Sequence, residues 1–307
     1  MTYNIKANSK IKGIGFLLLA LLIFSLQNIA VKWIGGDYSI MEMVSVRSII
    51  AIPSALLLFR LEGNRGLPVT KSHKLEFLRG FLLFLSYTFH FMALAALPLA
   101  AVESVRVSAP LLITLLSILI LREKVQLRRW LALIIGLAGV LFIIKPGSST
   151  FNIGSLFMVF SVMFYSLSVI LTRRLQTIDS SATMAFYSSL VYLIASIVFG
   201  TLILVIGEIP NAHAGIAFLF RSWSMPSLLD GLIMAGLGLV WAGGMYSMTR
   251  AYSLARASLV APFEYMSLPI NVLWGWIFWQ EIPTLLTIVG SAITLLCGLY
   301  VVSLERK

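Results

Sequence analysis

Five ionisable side chains draw attention by their surroundings: Glu42, Arg47, Glu103, Arg106 and Glu264 fall inside stretches made otherwise of hydrocarbon. An ionised group at the centre of a bilayer costs roughly 2.5–3.5 kcal/mol on insertion scales, so such groups pair with one another or line a wet cavity. Glu103 and Arg106 are spaced i, i+3 and share one face of a helix. In a cavity shared with Glu264, the carboxylates would meet a cationic group and the guanidinium a carboxylate or phosphate, by charge-assisted hydrogen bonds. The competing reading is a neutral packing triad with no ligand. Arg47 is open to two readings as well, a substrate contact or an ion pair with an acid such as Glu42. Tyr165, Tyr187, Trp241 and Tyr265 offer aromatic faces to a planar or cationic ligand, or else pack and form an interfacial belt. Gln27 and Asn28 are adjacent and point about 100° apart on a helix, so one of the two is expected to bond a neighbouring helix and Asn28 is kept as a substrate contact. His90 is the histidine inside an apolar stretch; it packs or, with Glu264, relays protons.

These groups have to be positioned by membrane helices. The apolar set makes up 59% of 307 residues and the mean hydropathy is +0.97, against roughly 45–50% apolar in soluble domains. Apolar runs recur at 13–33, 40–59, 77–97, 102–120, 130–144, 154–172, 182–206, 228–249, 258–279 and 285–302, most of them near the length that crosses about 30 Å of lipid. The reading is an all-α integral membrane protein with ten transmembrane helices. A cleaved leader at the first run, after Lys6, Lys10 and Lys12, is the weaker alternative because that run is longer than an ordinary signal core. The stretch 207–230 is apolar enough in part to hold an interfacial helix.

Charge placement agrees with this count. The net charge is +11, yet the basic residues are spread between apolar runs and form no stripe for nucleic acid, so no nucleic-acid partner is expected. With the N-terminus inside, every Lys and Arg falls on the cytoplasmic side except Lys32, Lys145 and Arg221 outside, and Arg47 and Arg106 within spans. By the positive-inside rule both termini are cytoplasmic.

The two halves of the chain resemble each other. An offset of 141 places Ser25 on Ser166, Lys32 on Arg173, Ser39 on Ser180 and Ser48 on Ser189; offsets of 158 and 159 place Glu123 on Glu281 and Pro110 on Pro269. Arg106 falls on Glu264 under the same 158 offset. Five spans per copy is an odd number, so the copies, at 13–145 and 153–303, enter the membrane in opposite senses as two inverted five-helix repeats. Pro110, Pro262 and Pro269 remove backbone donors in the fourth and ninth spans, and matched breaks of this kind point to a binding site near the midplane. Glu123 and Glu281 lie at interface depth and are expected to make helix-end or gating contacts. Glycines and alanines of the eighth span, Gly231 to Gly244, read as a close-packing surface.

Particular residues carry a family resemblance. Val31-Lys32-Trp33, Arg47-Ser48, Pro110-Leu111, Glu123-Lys124, Leu127-Arg128-Arg129-Trp130 and Lys145-Pro146-Gly147 in the first half, with 257–265 (Ala-Ser-Leu-Val-Ala-Pro-Phe-Glu-Tyr), Gly275-Trp276 and Gln280-Glu281 in the second, resemble the EamA-type ten-helix transporters of the drug/metabolite transporter superfamily. The resemblance covers nearly the whole chain and is nearest the branch of S-adenosylmethionine and riboflavin importers. It implies a multi-pass protein of the cell membrane that moves a small organic metabolite, with protons or another ion as a coupling partner. Arg106 departs from the pattern, because relatives carry a small residue there. The charges of the five embedded groups favour a cationic or zwitterionic ligand.

Other classes fit less well. There is no HExxH motif, acidic metal cluster or nucleophile with a base nearby, so neither enzyme, metal site nor cofactor is expected. A channel would show a ring-forming polar filter, and a receptor or scaffold would normally add a soluble domain. Cys297 is the sole cysteine, which rules out an intrachain disulfide. A homodimer is left open.

Overall fold

A computed structural model describes residues 7–121, 127–144, 151–175, 178–254 and 261–305, and these residues contain helices and loops but no strand. In chain order the helices are α1 (Ala7–Ile34), α2 (Ile40–Leu61), α3 (His73–Ala96), α4 (Leu99–Arg106), α5 (Ala109–Leu121), α6 (Leu127–Ile144), α7 (Gly154–Leu175), α8 (Ser181–Ile206), α9 (Ala214–Phe220), α10 (Leu228–Leu254), a 3-10 helix (Ala261–Met266), α11 (Ser267–Trp279) and α12 (Leu285–Glu305). The short α9 falls in the stretch where a loop helix was expected. Six helices, α1, α2, α3, α7, α8 and α10, are long and apolar enough to cross a membrane. Their outer faces carry exposed Ile49, Leu57, Val159, Ile194, Ile197, Leu202 and Leu239. That much hydrocarbon left on the outside of helices is what lipid, and not water, tolerates.

Local chemistry decides where several helices start and stop. Ser39 caps α2 by accepting from the Met41 N–H at 3.3 Å, and Ser180 caps α8 by accepting from the Thr183 N–H at 3.2 Å. Gln280 closes α11 in the left-handed region (φ 54°), with its own N–H on Trp276 O and the Glu281 N–H on Gly275 O, both at 3.1 Å. The apolar run at 102–120 is not one continuous helix. α4 ends at Arg106, Val107 and Ser108 turn, and α5 begins one residue before Pro110. Proline is tolerated there because a first-turn N–H has no helical partner in any case. Pro269 takes the matching place in the first turn of α11, after the 3-10 helix that contains Pro262.

Packing ties the two halves together. α1 lies along α10, α3 along α7, α2 along α8, and α6 along α12, with α4 against α11 and α5 against α7. The α6–α12 crossing depends on glycine: a Cβ on Gly290 would come 2.6 Å from Gly139 O, and Thr294 Oγ–H donates to Gly136 O across the same contact at 3.2 Å. α10 is less uniform than the sequence suggested. Gly238 and Gly244 meet α2 and Phe24 closely, whereas a Cβ on Gly236 or Gly243 would meet nothing within 4 Å. The close-packing surface is thus confined to two glycines on that helix.

Candidate functional site

A cavity opens between α1, α3, α7 and the α4–α5 break. Each helix supplies one face at helical spacing. Phe24, Gln27 and Asn28 come from α1; Ser86, Tyr87 and His90 from α3; Met158, Ser161, Val162 and Tyr165 from α7; and Arg106 and Ala109 flank the break. The α3 and α7 walls are joined where Ser86 Oγ–H donates to Ser161 O at 2.9 Å.

Asn28 is the centre of a buried polar network at this wall. Its Nδ2 donates to Glu103 Oε1 and to Asn271 Oδ1, each at 3.1 Å, and its Oδ1 accepts from His90 Nε2–H at 3.0 Å. Asn271 Nδ2 in turn donates to Ser267 O at 2.9 Å. Four elements meet at one amide, three from the first half of the chain and one, α11, from the second. Glu103 has no solvent exposure, while Arg106, whose Nη1 reaches both its oxygens at 3.4–3.5 Å, keeps 24% of its side chain exposed. The carboxylate therefore sits behind the wall and the guanidinium faces the cavity. Arg106 also interacts electrostatically with Tyr87, Tyr165 and Glu264. Glu264 lies within electrostatic range of Arg106 and of Tyr165, and Glu103 is the one carboxylate of the expected trio with a described contact to Arg106.

Arg47 lies one layer further out. It is 1% exposed and does not pair with Glu42, whose carboxylate instead accepts from the Ser224 N–H at 3.4 Å. Its guanidinium is surrounded by Trp241, Tyr192, Phe91 and Tyr87, with ring centroids 4.8, 5.1, 5.6 and 6.0 Å away, a cation–π enclosure. One hydrogen bond, Nη1 to Gln27 Oε1 at 3.3 Å, connects it to the cavity wall. Gln27 and Asn28 thus both line the cavity and both bond neighbouring helices, one on each flank of α1; the expectation that only one would do so fails because the two flanks are occupied by different partners.

The remaining expected residues are scattered. Trp241 packs behind the cavity against Tyr87 and Phe24. Tyr187 is remote from it, with its ring against His73 and Phe77 and its hydroxyl donating to Pro68 O at 3.5 Å. Tyr265 is buried with a hydroxyl that makes no hydrogen bond, packed so closely on Gly298 that a Cβ there would overlap it. Glu281 closes the end of the bundle beyond the network: it forms an ion pair with Lys32 and accepts from the Leu99 N–H at 2.9 Å, capping α4. Glu123, its counterpart by offset, lies outside the described residues. Tyr87, Gln27, Asn271, Ser86 and Ser161 were not singled out as ligands from sequence. For Asn271 a signal existed, a lone amide in an apolar span.

A membrane-embedded helical bundle with a charged, buried cavity between its helices has the build of a transporter of small molecules. Comparison with known proteins agrees. Residues 11–145 match the EamA-like transporter family. Over 97% of its length the chain is 28% identical to the riboflavin transporter of Vibrio cholerae, 95% of which is covered, and over 96% it is 25% identical to the S-adenosylmethionine uptake transporter of Rickettsia bellii, covered to 94%. The pseudopaline exporter CntI of Pseudomonas aeruginosa is 28% identical over 92% of each chain. A protein of known crystal structure shares the fold at a TM-score of 0.64 and 19% identity, across 96% of this chain and 99% of its own. Residues 11–145 thus match an EamA-like transporter domain, and the chain, a multi-pass protein of the cell membrane, is similar over nearly its whole length to transporters of small metabolites.

Proposed function

We propose that this protein carries a cationic or zwitterionic organic metabolite across the membrane by alternating access, and that the cavity bounded by Arg106, Asn28, His90, Tyr87 and Tyr165 is its substrate site. The observation that carries the reading is the juxtaposition of Arg106, facing the cavity, with the fully buried Glu103 and with Glu264. A ligand carboxylate would meet Arg106 in the cavity by a charge-assisted hydrogen bond, while its amino or sulfonium group would feel the negative field of Glu103 behind the wall and of Glu264. Tyr87 and Tyr165 supply aromatic faces for its cationic or planar part. Relatives named for S-adenosylmethionine uptake, riboflavin transport and pseudopaline export support an organic metabolite as the cargo.

The same proposal includes ten spans, in two inverted repeats at 13–145 and 153–303, with both termini cytoplasmic. Support comes from equivalent details in the two halves. Ser39 and Ser180 cap corresponding helices, Pro110 and Pro269 follow corresponding breaks, and α1–α10 and α3–α7 are the pairings that a two-fold relation would exchange. In this scheme the broken α4–α5 and 3-10–α11 segments hold the site at mid-depth. The Lys32–Glu281 pair is a gate at one end, and His90 with Glu264 are candidates for proton movement. Arg47 steadies the wall through Gln27.

Counterflow in proteoliposomes, with labelled S-adenosylmethionine, riboflavin and a set of amino acids, tests the assignment. Saturable exchange of at least one compound is expected in the wild type, with loss in Arg106→Gln and Glu103→Gln at unchanged membrane yield. Wild-type exchange rates in both variants would remove these residues from the site.

A further inference from the structure

The guanidinium of Arg47 has a donor left over. It is buried inside the bundle, and the hydrogen bond described on it runs from Nη1 to Gln27 Oε1 at 3.3 Å. Nη2, the other prong of the fork, is buried without a hydrogen-bond partner. No ion pair among the described residues reaches it. The acid on its own helix, Glu42, turns to the Ser224 N–H, and Glu103 is taken up by Asn28 and Arg106. The Tyr192 ring lies 5.1 Å from the guanidinium carbon, and its hydroxyl is likewise buried without a partner. Ring faces compensate the charge, but the N–H groups radiate in the guanidinium plane and call for oxygen acceptors. Buried polar atoms are nearly always paired, so an open charged donor asks for an occupant.

A single layer of side chains separates this fork from the cavity. Gln27 and Tyr87 both line the cavity and both meet the guanidinium, one through its amide and the other through its ring at 6.0 Å. Gln27 is a neutral acceptor on one prong. A carboxylate has two oxygens at the spacing of both prongs and brings the opposite charge. Exchanging one for the other replaces one long hydrogen bond by two charge-assisted ones. The released amide would turn into a cavity that already holds polar Asn28, Ser86 and Ser161.

We propose that Arg47 is a second carboxylate subsite of the carrier, closed at rest by Gln27 and entered when a ligand carboxylate displaces that amide and binds Nη1 and Nη2 together. The ligand it fits is an organic carboxylate with an apolar or aromatic body, which would lie against Phe24 and Tyr87 of the adjoining wall. Arg106 meets the carboxylate in the open cavity; Arg47 receives it behind the wall. The subsite rests on the carrier reading above and adds a second station to it.

Melting midpoints of the full-length protein in lipid nanodiscs test this, with sodium benzoate as the probe, benzamide as its neutral isostere and NaCl at equal concentration. The wild type should show a saturable rise with benzoate that benzamide and NaCl do not reproduce. Because Arg106 also attracts carboxylates, variants decide between the two. The response should persist in Arg106→Gln. In Arg47→Met the half-saturating concentration should rise about tenfold or more, the loss of a charge-assisted pair, and in Gln27→Leu, with the amide gone from Nη1, it should fall about threefold. No response in the wild type, which needs no variant to fold, overturns the subsite. So does a response equal in Arg47→Met and wild type, one abolished by Arg106→Gln, one that chloride matches, or one that Gln27→Leu leaves unchanged or weakens. Metabolite counterflow without an Arg47-dependent response sinks the subsite alone. An Arg47-dependent response in protein that moves no metabolite upholds the subsite and overturns its part in a carrier.

Discussion

Replacing Asn28 with leucine, a side chain of similar volume, opens no cavity but removes three hydrogen bonds at once. The amide donates to Asn271 and accepts from His90, and donates to the buried carboxylate of Glu103. Neutral side-chain bonds between membrane helices contribute about 0.6 kcal/mol on average, up to about 1 in soluble hosts, and one to a charged group about 1.5–3 kcal/mol. The sum is about 3–5 kcal/mol, since each partner is left buried and Glu103 keeps, among the described residues, the long contact with Arg106. Denaturant unfolding in detergent, followed by tryptophan fluorescence, reads this directly. A double-mutant cycle sharpens it: Asn28→Leu with Asn271→Leu should cost about 0.5–1 kcal/mol less than the two single changes added, because the second substitution removes a group the first left unsatisfied. Additive costs, or a single-variant loss below about 0.5 kcal/mol, would refute the hub.

Three further expectations follow from the packing. Arg47 has no carboxylate partner among the described residues, so Arg47→Met should change the melting free energy by less than about 1.5 kcal/mol, while Arg47→Lys, which loses planar stacking, should destabilise more; the reverse order in a thermal melt would count against the aromatic enclosure. Gly290→Val drives a side chain onto the Gly139 carbonyl and Ile143, an overpacking cost of about 1–3 kcal/mol or more, visible as reduced midpoint and yield; an unchanged midpoint would mean α6 and α12 are not held in this crossing. Gln280→Gly relieves a left-handed residue that costs roughly 1–2 kcal/mol, and should raise the midpoint without lowering transport.

The helical, lipid-facing character of this chain was legible from hydropathy and charge placement, and the loop helix at Ala214–Phe220 from residual apolarity. Breaks beside Pro110 and Pro269 could be read because proline acts locally. The nearness of Glu103 and Arg106 could be read because helical spacing sets it. What could not be read was which helix comes to face which. Asn271 joins Asn28 across nearly the whole chain, and no local pattern encodes that meeting. Aromatic residues were the least informative: Tyr87 lines the cavity, Tyr187 does not, and both sit in apolar helices with nothing local to separate them. Arg47 defeated the search for an acid partner because its compensation comes from ring faces, drawn from three other helices as well as its own layer of the core.

The central claim, that the cavity between the halves is a passage reached in turn from each side, is tested most directly by placing a cysteine in its wall. Ser161→Cys in a Cys297→Ser background can be challenged with a membrane-impermeant thiol reagent in right-side-out and in inside-out vesicles. Alternating access predicts labelling from both sides, slowed by the metabolite that supports counterflow. Labelling from one side alone, at every substrate condition, would contradict it.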